Sequence, residues 1–274
     1  GKKNNLLRHR MLFAGILCLF VFCSLAQEQK SKGSSRAPRS KVYLLHSDLL
    51  RKDAVRPDAQ IVVGNVKFRH DSMYMFCDSA YYYDKTGSFE AFSNVRMEQG
   101  DTLFIYGDHL FYDGYTQIAE LRKNVRLENR NTQLYTDSLN YDRIANLGYY
   151  FDGGTLMDEE NVLSSDWGEY SPVTKESVFN YNVKLLNPKF TMTSDTLHYN
   201  TMSKIARIVG PSNIVGDSTH IYSELGYYNT TTGKAQLLNR SEVTSGSRKL
   251  VADSIDYDRD LGVSKAFFDV VITD

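Results

Sequence analysis

One short pattern returns eight times along the chain at intervals of 29 or 30 residues, anchored at Asp48, Asp78, Asp108, Asp137, Asp166, Asp195, Glu224 and Asp253. Three residues before each anchor stands an apolar side chain: Leu45, Met75, Ile105, Leu134, Leu163, Met192, Ile221 and Leu250. The residue just before the anchor is small: Ser47, Cys77, Gly107, Thr136, Ser165, Ser194, Ser223 and Ala252. Four residues after it comes a tyrosine in seven units, Tyr82, Tyr112, Tyr141, Tyr170, Tyr199, Tyr228 and Tyr257, with Lys52 in the first. A fixed period of this size means stacked copies of one supersecondary unit, each completing its core on its neighbours. Function in such a body belongs to a long surface, not to one pocket.

Within a unit the apolar pattern has period two, the period of a strand with one buried face. Between Ile105 and Leu110 the step is five, an odd number, and it recurs from Leu134 to Leu139, Met192 to Leu197 and Leu250 to Ile255. A strand that keeps one side inward across an odd step needs a bulge or a corner, expected near the anchor, as at Gly107-Asp108. The small residue suits that corner, and the anchor carboxylate is expected to accept backbone N–H groups that the corner frees. A polar turn follows the tyrosine, as in Tyr112-Asp113-Gly114, and then a second strand marked Asn65-Val66, Asn94-Val95, Asn124-Val125, Asn182-Val183 and Asn213-Ile214. Eight units of two bent strands give about sixteen antiparallel strands of ordinary length or longer.

Residues 1–26 are set apart from this body. Lys2, Lys3, Arg8 and Arg10 precede an apolar run from Met11 to Cys23 and a small-residue cleavage site at Ser24-Leu25-Ala26. The run is too short for a spanning helix, so it reads as a signal peptide. Cys18 follows Leu17 and Cys23 follows Phe22, which disfavours lipidation. Residues 27–40 are polar and Ser-rich, a flexible leader, and 41–274 form the repeat domain, whose continuation beyond Asp274 is left open. Loss of the four basic residues of the signal moves the balance from 32 basic against 33 acidic to 28 against 33. With no basic stripe or block, nucleic acid is not an expected partner. Cys77 is then the one remaining cysteine, so no intramolecular disulfide is expected.

Catalysis and cofactors find no support. The histidines His46, His70, His109, His198 and His220 are scattered, and no nucleophilic triad or zinc spacing appears. A calcium ladder on the stacked anchors would need glycine-rich loops that the chain lacks, so no metal is expected. The tyrosine and apolar columns read first as an internal seam. If the trough between the bent strands stays unfilled, they line a channel for long alkyl chains.

The unit also resembles a known family. The segments MFCDSAYYYD (Met75 to Asp84), IYGDHLFYD (Ile105 to Asp113), LYTDSLNYD (Leu134 to Asp142), MTSDTLHYN (Met192 to Asn200) and LVADSIDYD (Leu250 to Asp258), with the Asn-Val steps, are similar to OstA-like proteins. The resemblance implies an all-β, open, twisted β-jelly roll, taco-like in outline. Its apolar groove would hold the acyl chains of lipid A, in a periplasmic, non-enzymatic carrier of lipopolysaccharide that bridges inner and outer membranes. Partners implied are lipopolysaccharide, other transport proteins through unpaired edge strands, and further copies head to tail. The groove contacts expected are Ile105, Leu110, Tyr112, Leu134, Leu139, Tyr141, Met192, Leu197 and Tyr199. The alternative is a structural or adhesive β-solenoid with a closed core, binding protein or glycan on its outer face.

Overall fold

The computed structural model describes residues 40–274, and 41–274 form one compact β unit. The expected signal peptide at 1–26, and 27–39 of the expected leader, lie outside the described residues. The first unit runs out through β1 (Val42–His46) and β2 (Leu49–Lys52) and returns on β3 (Gln60–His70). The second uses β4 (Met73–Tyr83) and β5 (Ser88–Gln99), the third β6 (Leu103–Asp113) and β7 (Ile118–Asn129). The fourth goes out on β8 (Thr132–Asp142) and returns in two pieces, β9 (Leu147–Tyr150) and β10 (Gly154–Asp158). The fifth comprises β11 (Asn161–Ser165), β12 (Trp167–Tyr170) and β13 (Glu176–Asn187). The sixth comprises β14 (Phe190–Asn200), β15 (Ile205–Ile208) and β16 (Ser212–Val215). The seventh is β17 (Thr219–Ser223), β18 (Leu225–Asn229) and β19 (Lys234–Ser245), and the eighth β20 (Arg248–Asp258), β21 (Val263–Phe267) and β22 (Val271–Thr273). Six passes are split at their corner and ten are continuous, so the 22 strands make the sixteen passes expected of eight units.

Consecutive passes pair antiparallel, each lying beside the one before it. Every pass bends at its corner, so the ladder has two arms. The first arm holds the residues before each anchor and after each Asn-Val step. The second holds those after the anchor and before that step. The split strands make this plain: Thr132–Thr136 of β8 pairs with β10 in the first arm, and Asn140–Asp142 pairs with β9 in the second.

The corner differs from the sequence expectation in one respect. The extra residue lies on the return strand, not the anchor strand. Between β5 and β6 the register skips from Phe92↔His109 to Val95↔Gly107, so Ser93 and Asn94 stand opposite Asp108 alone. Both skipped residues are left-handed, with φ of 63° and 50°, and the same pair recurs at Lys123-Asn124, Tyr181-Asn182 and Asn239-Arg240. Asparagine tolerates this conformation better than most residues, which explains its column. The anchor carboxylate is held mainly by that asparagine's side chain rather than by freed backbone groups: Asn94 Nδ2 donates to Asp78, Asn124 to Asp108 and Asn182 to Asp166 at 2.6–2.7 Å. One backbone N–H, that of Asn124, also reaches an anchor, Asp137, at 3.3 Å.

The phase change at the anchor is present as expected. Leu103, Ile105 and Gly107 of β6 face inward before Asp108, and Leu110 and Tyr112 after it. The turns follow their sequence chemistry too: Asp113, Asp142, Asn200, Asn229 and Asp258 each accept N–H groups two and three residues on.

Candidate functional site

Joined at their corners, the two arms face one another across a seam, and all nine residues expected to line a groove lie in it. Ile105, Leu110, Tyr112, Leu134, Leu139, Tyr141, Met192, Leu197 and Tyr199 are each at 0% exposure. The sequence left open whether the trough is filled, and here side chains of the two arms mesh. Phe68 of the first arm stacks on Phe89 of the second with centroids 4.0 Å apart, and Phe89 packs on Tyr112 at 5.3 Å. Burying each of these aliphatic or aromatic side chains stabilises by about 1.5–3 kcal/mol.

The turns of both arms lie on the side opposite the corners, so that side is the mouth of the seam. Tyrosine hydroxyls latch it. Each reaches from the second arm to a residue about 41 positions earlier at the end of the first. Tyr82 Oη donates to the Val42 carbonyl at 3.2 Å, Tyr170 Oη to Asn129 Oδ1 at 2.8 Å and Tyr199 Oη to Asp158 Oδ2 at 2.6 Å. Tyr112 Oη lies 2.5 Å from Nδ1 of His70, which is fully buried. In the fourth unit Tyr141 Oη and Gln99 Oε1 are both buried without a hydrogen-bond partner among the described residues, and in the seventh Tyr228 Oη instead accepts from Arg259 Nη1 at 3.4 Å. Burial pushes the Tyr112, Tyr141 and Tyr150 hydroxyls up to about 12, and Tyr199 is raised further by the adjoining Asp158 carboxylate.

Sequence reasoning placed the tyrosines in the seam but missed their partners. The signal was present as a second column, His70, Gln99, Asn129, Asp158 and Asn187, at the same 29- or 30-residue period. It went unread because a polar residue at a strand end looks like turn chemistry until the opposite arm is in place. Two lysines at the mouth complete the array. Lys204 Nζ binds both oxygens of the buried Asp158 at 2.9 and 2.7 Å, and Lys175 Nζ donates to Asn129 Oδ1 at 2.6 Å. Burial, with the nearby Arg130, holds the Lys175 ammonium below its usual value. A cavity of about 240 Å³ opens here, lined by Asn129, Asp158, Tyr170, Lys175 and Lys204 among others.

A volume exchange in the fifth unit was also invisible to the repeat pattern. Where other units carry Leu110, Leu139 or Leu197, this one has Gly168, and the Tyr150 ring fills the space. Tyr150 Oη bonds Ser165 Oγ at 2.6 Å. Cys77 is buried and its thiol is pushed up to about 12 by desolvation, which makes it a packing residue at its corner.

Among the described strands, the sheet does not close on itself. β1 and β2 pair only with β3, and β21 and β22 only with β20. Both terminal rungs are apolar and exposed, with Leu49 and Leu50 about half accessible and Phe268 and Ile272 more so.

Comparison with curated proteins finds no match. Among solved structures the protein is similar to LptH from Pseudomonas aeruginosa, described as the LptA homologous periplasmic component of the conserved lipopolysaccharide transport device. The identity is 13%, the alignment covers 43% of this chain and 99% of that one, and the TM-score is 0.40. The model of the OstA-like protein family matches residues 39–195, more than half of the chain. That match takes in the anchors from Asp48 to Asp195, the tyrosines from Tyr82 to Tyr170 and the Asn-Val steps from Asn65 to Asn182, and the chain belongs to the OstA-like family.

Proposed function

We propose that the protein is a periplasmic carrier of lipopolysaccharide that shields acyl chains in its seam and bridges inner and outer membranes through its terminal strands. Family membership supports the ligand class, and the apolar seam running through successive units is the observation that carries the reading. The seam is closed at rest. Its mouth is latched by single tyrosine hydroxyl contacts at Tyr82, Tyr112, Tyr170 and Tyr199, each worth about 1 kcal/mol net, so one rung can part without unfolding its neighbours. Acyl chains then replace side-chain contacts among near-equivalent apolar rungs, and partners that expend energy set the direction. The terminal rungs fit end-to-end pairing, with other transport proteins or with further copies, because their free N–H and C=O groups template another strand.

Photo-crosslinking residues at Ile105 and Leu139, exposed to labelled lipopolysaccharide, test the seam directly. Capture at these positions above that at outward-facing Phe104 and Asn140 is expected. Equal capture at both sets, or none, would remove the carrier reading.

Complete burial of the nine seam residues favours a second reading, a closed-core scaffold that works through its outer faces. An apolar dye such as ANS separates the two. Native-state binding that lipid A displaces supports the carrier, while absence of both effects supports the scaffold.

A further inference from the structure

The outward face of the first arm carries a row that the core does not explain. Directly opposed residues on six neighbouring strands read Lys67, Phe76, Arg96, Tyr106, Arg126 and Tyr135, alternating cation and aromatic without a break. The contacts are real ones: Arg96 lies over the Phe76 ring at 4.3 Å, Arg126 over Tyr106 at 4.5 Å and Lys67 over Phe76 at 5.3 Å. At about 4.8 Å per strand the row is roughly 24 Å long. It keeps the repeat period, with the aromatic two residues before the anchor and the cation two after the asparagine, for three successive units. In the fifth and sixth units Ser164 and Thr193 take the aromatic places, and where an aromatic returns, at Tyr222, it stands between Asn213 and Glu242 with no cation opposite.

Cross-strand cation–aromatic pairs contribute something to a sheet, on the order of 0.2–1 kcal/mol each. That alone does not account for the second row beside it. Glu98 and Glu128, two residues along the same strands, lie 3.4 and 2.9 Å from the Nε atoms of Arg96 and Arg126. The arginines and glutamates are only part buried, so each aromatic ring is flanked by accessible hydrogen-bond donors and acceptors. A row of flat apolar rings edged by both kinds of polar group matches a chain of sugar rings, whose C–H faces lie on aromatic rings while their hydroxyls both donate and accept. A phosphodiester backbone offers no donors to these carboxylates, whereas sugar hydroxyls do. Lys67 makes no ion pair among the described residues, which leaves the row net cationic and adds a preference for acidic sugars.

We propose that this face binds an extended, acidic saccharide chain, with Phe76, Tyr106 and Tyr135 under the sugar rings and Lys67, Arg96 and Arg126 meeting their hydroxyl and carboxylate groups. The site lies on the opposite side of the first arm from the seam, and it stands whether or not the seam takes an acyl chain.

Titration of the full chain with soluble polygalacturonate tests it, with polyacrylate, single-stranded DNA and a neutral glucan as competitors. Saturable binding to polygalacturonate is expected, stronger than to any of the three. Replacing both rings (F76A with Y106A) should weaken it about tenfold, a change of about 1.4 kcal/mol. Tyr106→Phe alone should leave it intact. These side chains face solvent, and an unchanged unfolding midpoint would show that the double variant folds. Should it not, R96Q with R126Q gives the same reading through the polar edge. Four results would overturn the proposal: no binding to polygalacturonate, equal binding to polyacrylate, tighter binding to DNA, or a sedimentation shift abolished by the variants, which would make the row a contact between copies.

Discussion

At the scale of single residues, the seam tolerates polar groups only where each finds a partner. Asp158 is 1% exposed and depends on Lys204, Tyr199 and, at 3.5 Å, Thr132. Removing a buried ion's partner costs far more than the pair contributes, because the remaining charge is stranded in a medium that cannot solvate it. Lys204→Ala is therefore expected to destabilise by about 3–5 kcal/mol in urea unfolding. Pairing it with Asp158→Asn should recover most of that loss, and failure to recover would mean the lysine acts by packing instead. Gly168 is constrained from the other direction. A Cβ there would stand 2.5 Å from Cζ and Oη of Tyr150, so Gly168→Ala is expected to cost about 1–3 kcal/mol through overpacking. A midpoint matching wild type would place the Tyr150 ring elsewhere.

At the scale of the element, the corner joins two columns that looked independent in the sequence. The asparagine adopts left-handed backbone and its amide ties down the aspartate across the ladder. Asn94→Ala loses both advantages, the bond to Asp78 and the tolerance of a φ of 50°, for an expected loss of about 1–2 kcal/mol. Asn94→Gly keeps the backbone freedom and should lose less. If alanine and glycine proved equal in chemical unfolding, the backbone contribution would be nil. Sequence periodicity found this corner from the odd step between Ile105 and Leu110, yet put the extra residue on the wrong strand. Parity along one strand reports that a phase changes; only the pairing of two strands reports which one carries the surplus.

For the whole molecule, the tyrosine column ties stability to alkaline pH. Tyr112, Tyr141 and Tyr150 are held protonated in the fold up to about 12, whereas an unfolded tyrosine ionises near 10. Below pH 10 both states keep the proton and the contribution is complete. Between about 10 and 12 the unfolded chain alone releases it, so each of these tyrosines removes about 1.4 kcal/mol of stability per pH unit. Thermal melts from pH 8 to 12 should show a flat region and then a steep decline above 10, and a profile flat to 12 would show the hydroxyls to be solvated. Repetition made the architecture legible from sequence: eight units, sixteen passes, the inward columns and the polar turns all follow from a period of 29 or 30 and an alternation of two, because equivalent positions in stacked units must share an environment. Whether the two arms meet was decided only in three dimensions. Closure depends on side chains of different units, Phe68 on Phe89 at the centre and Tyr199 on Asp158 at the mouth, fitting one another across the seam, and no pattern within a single unit encodes that fit.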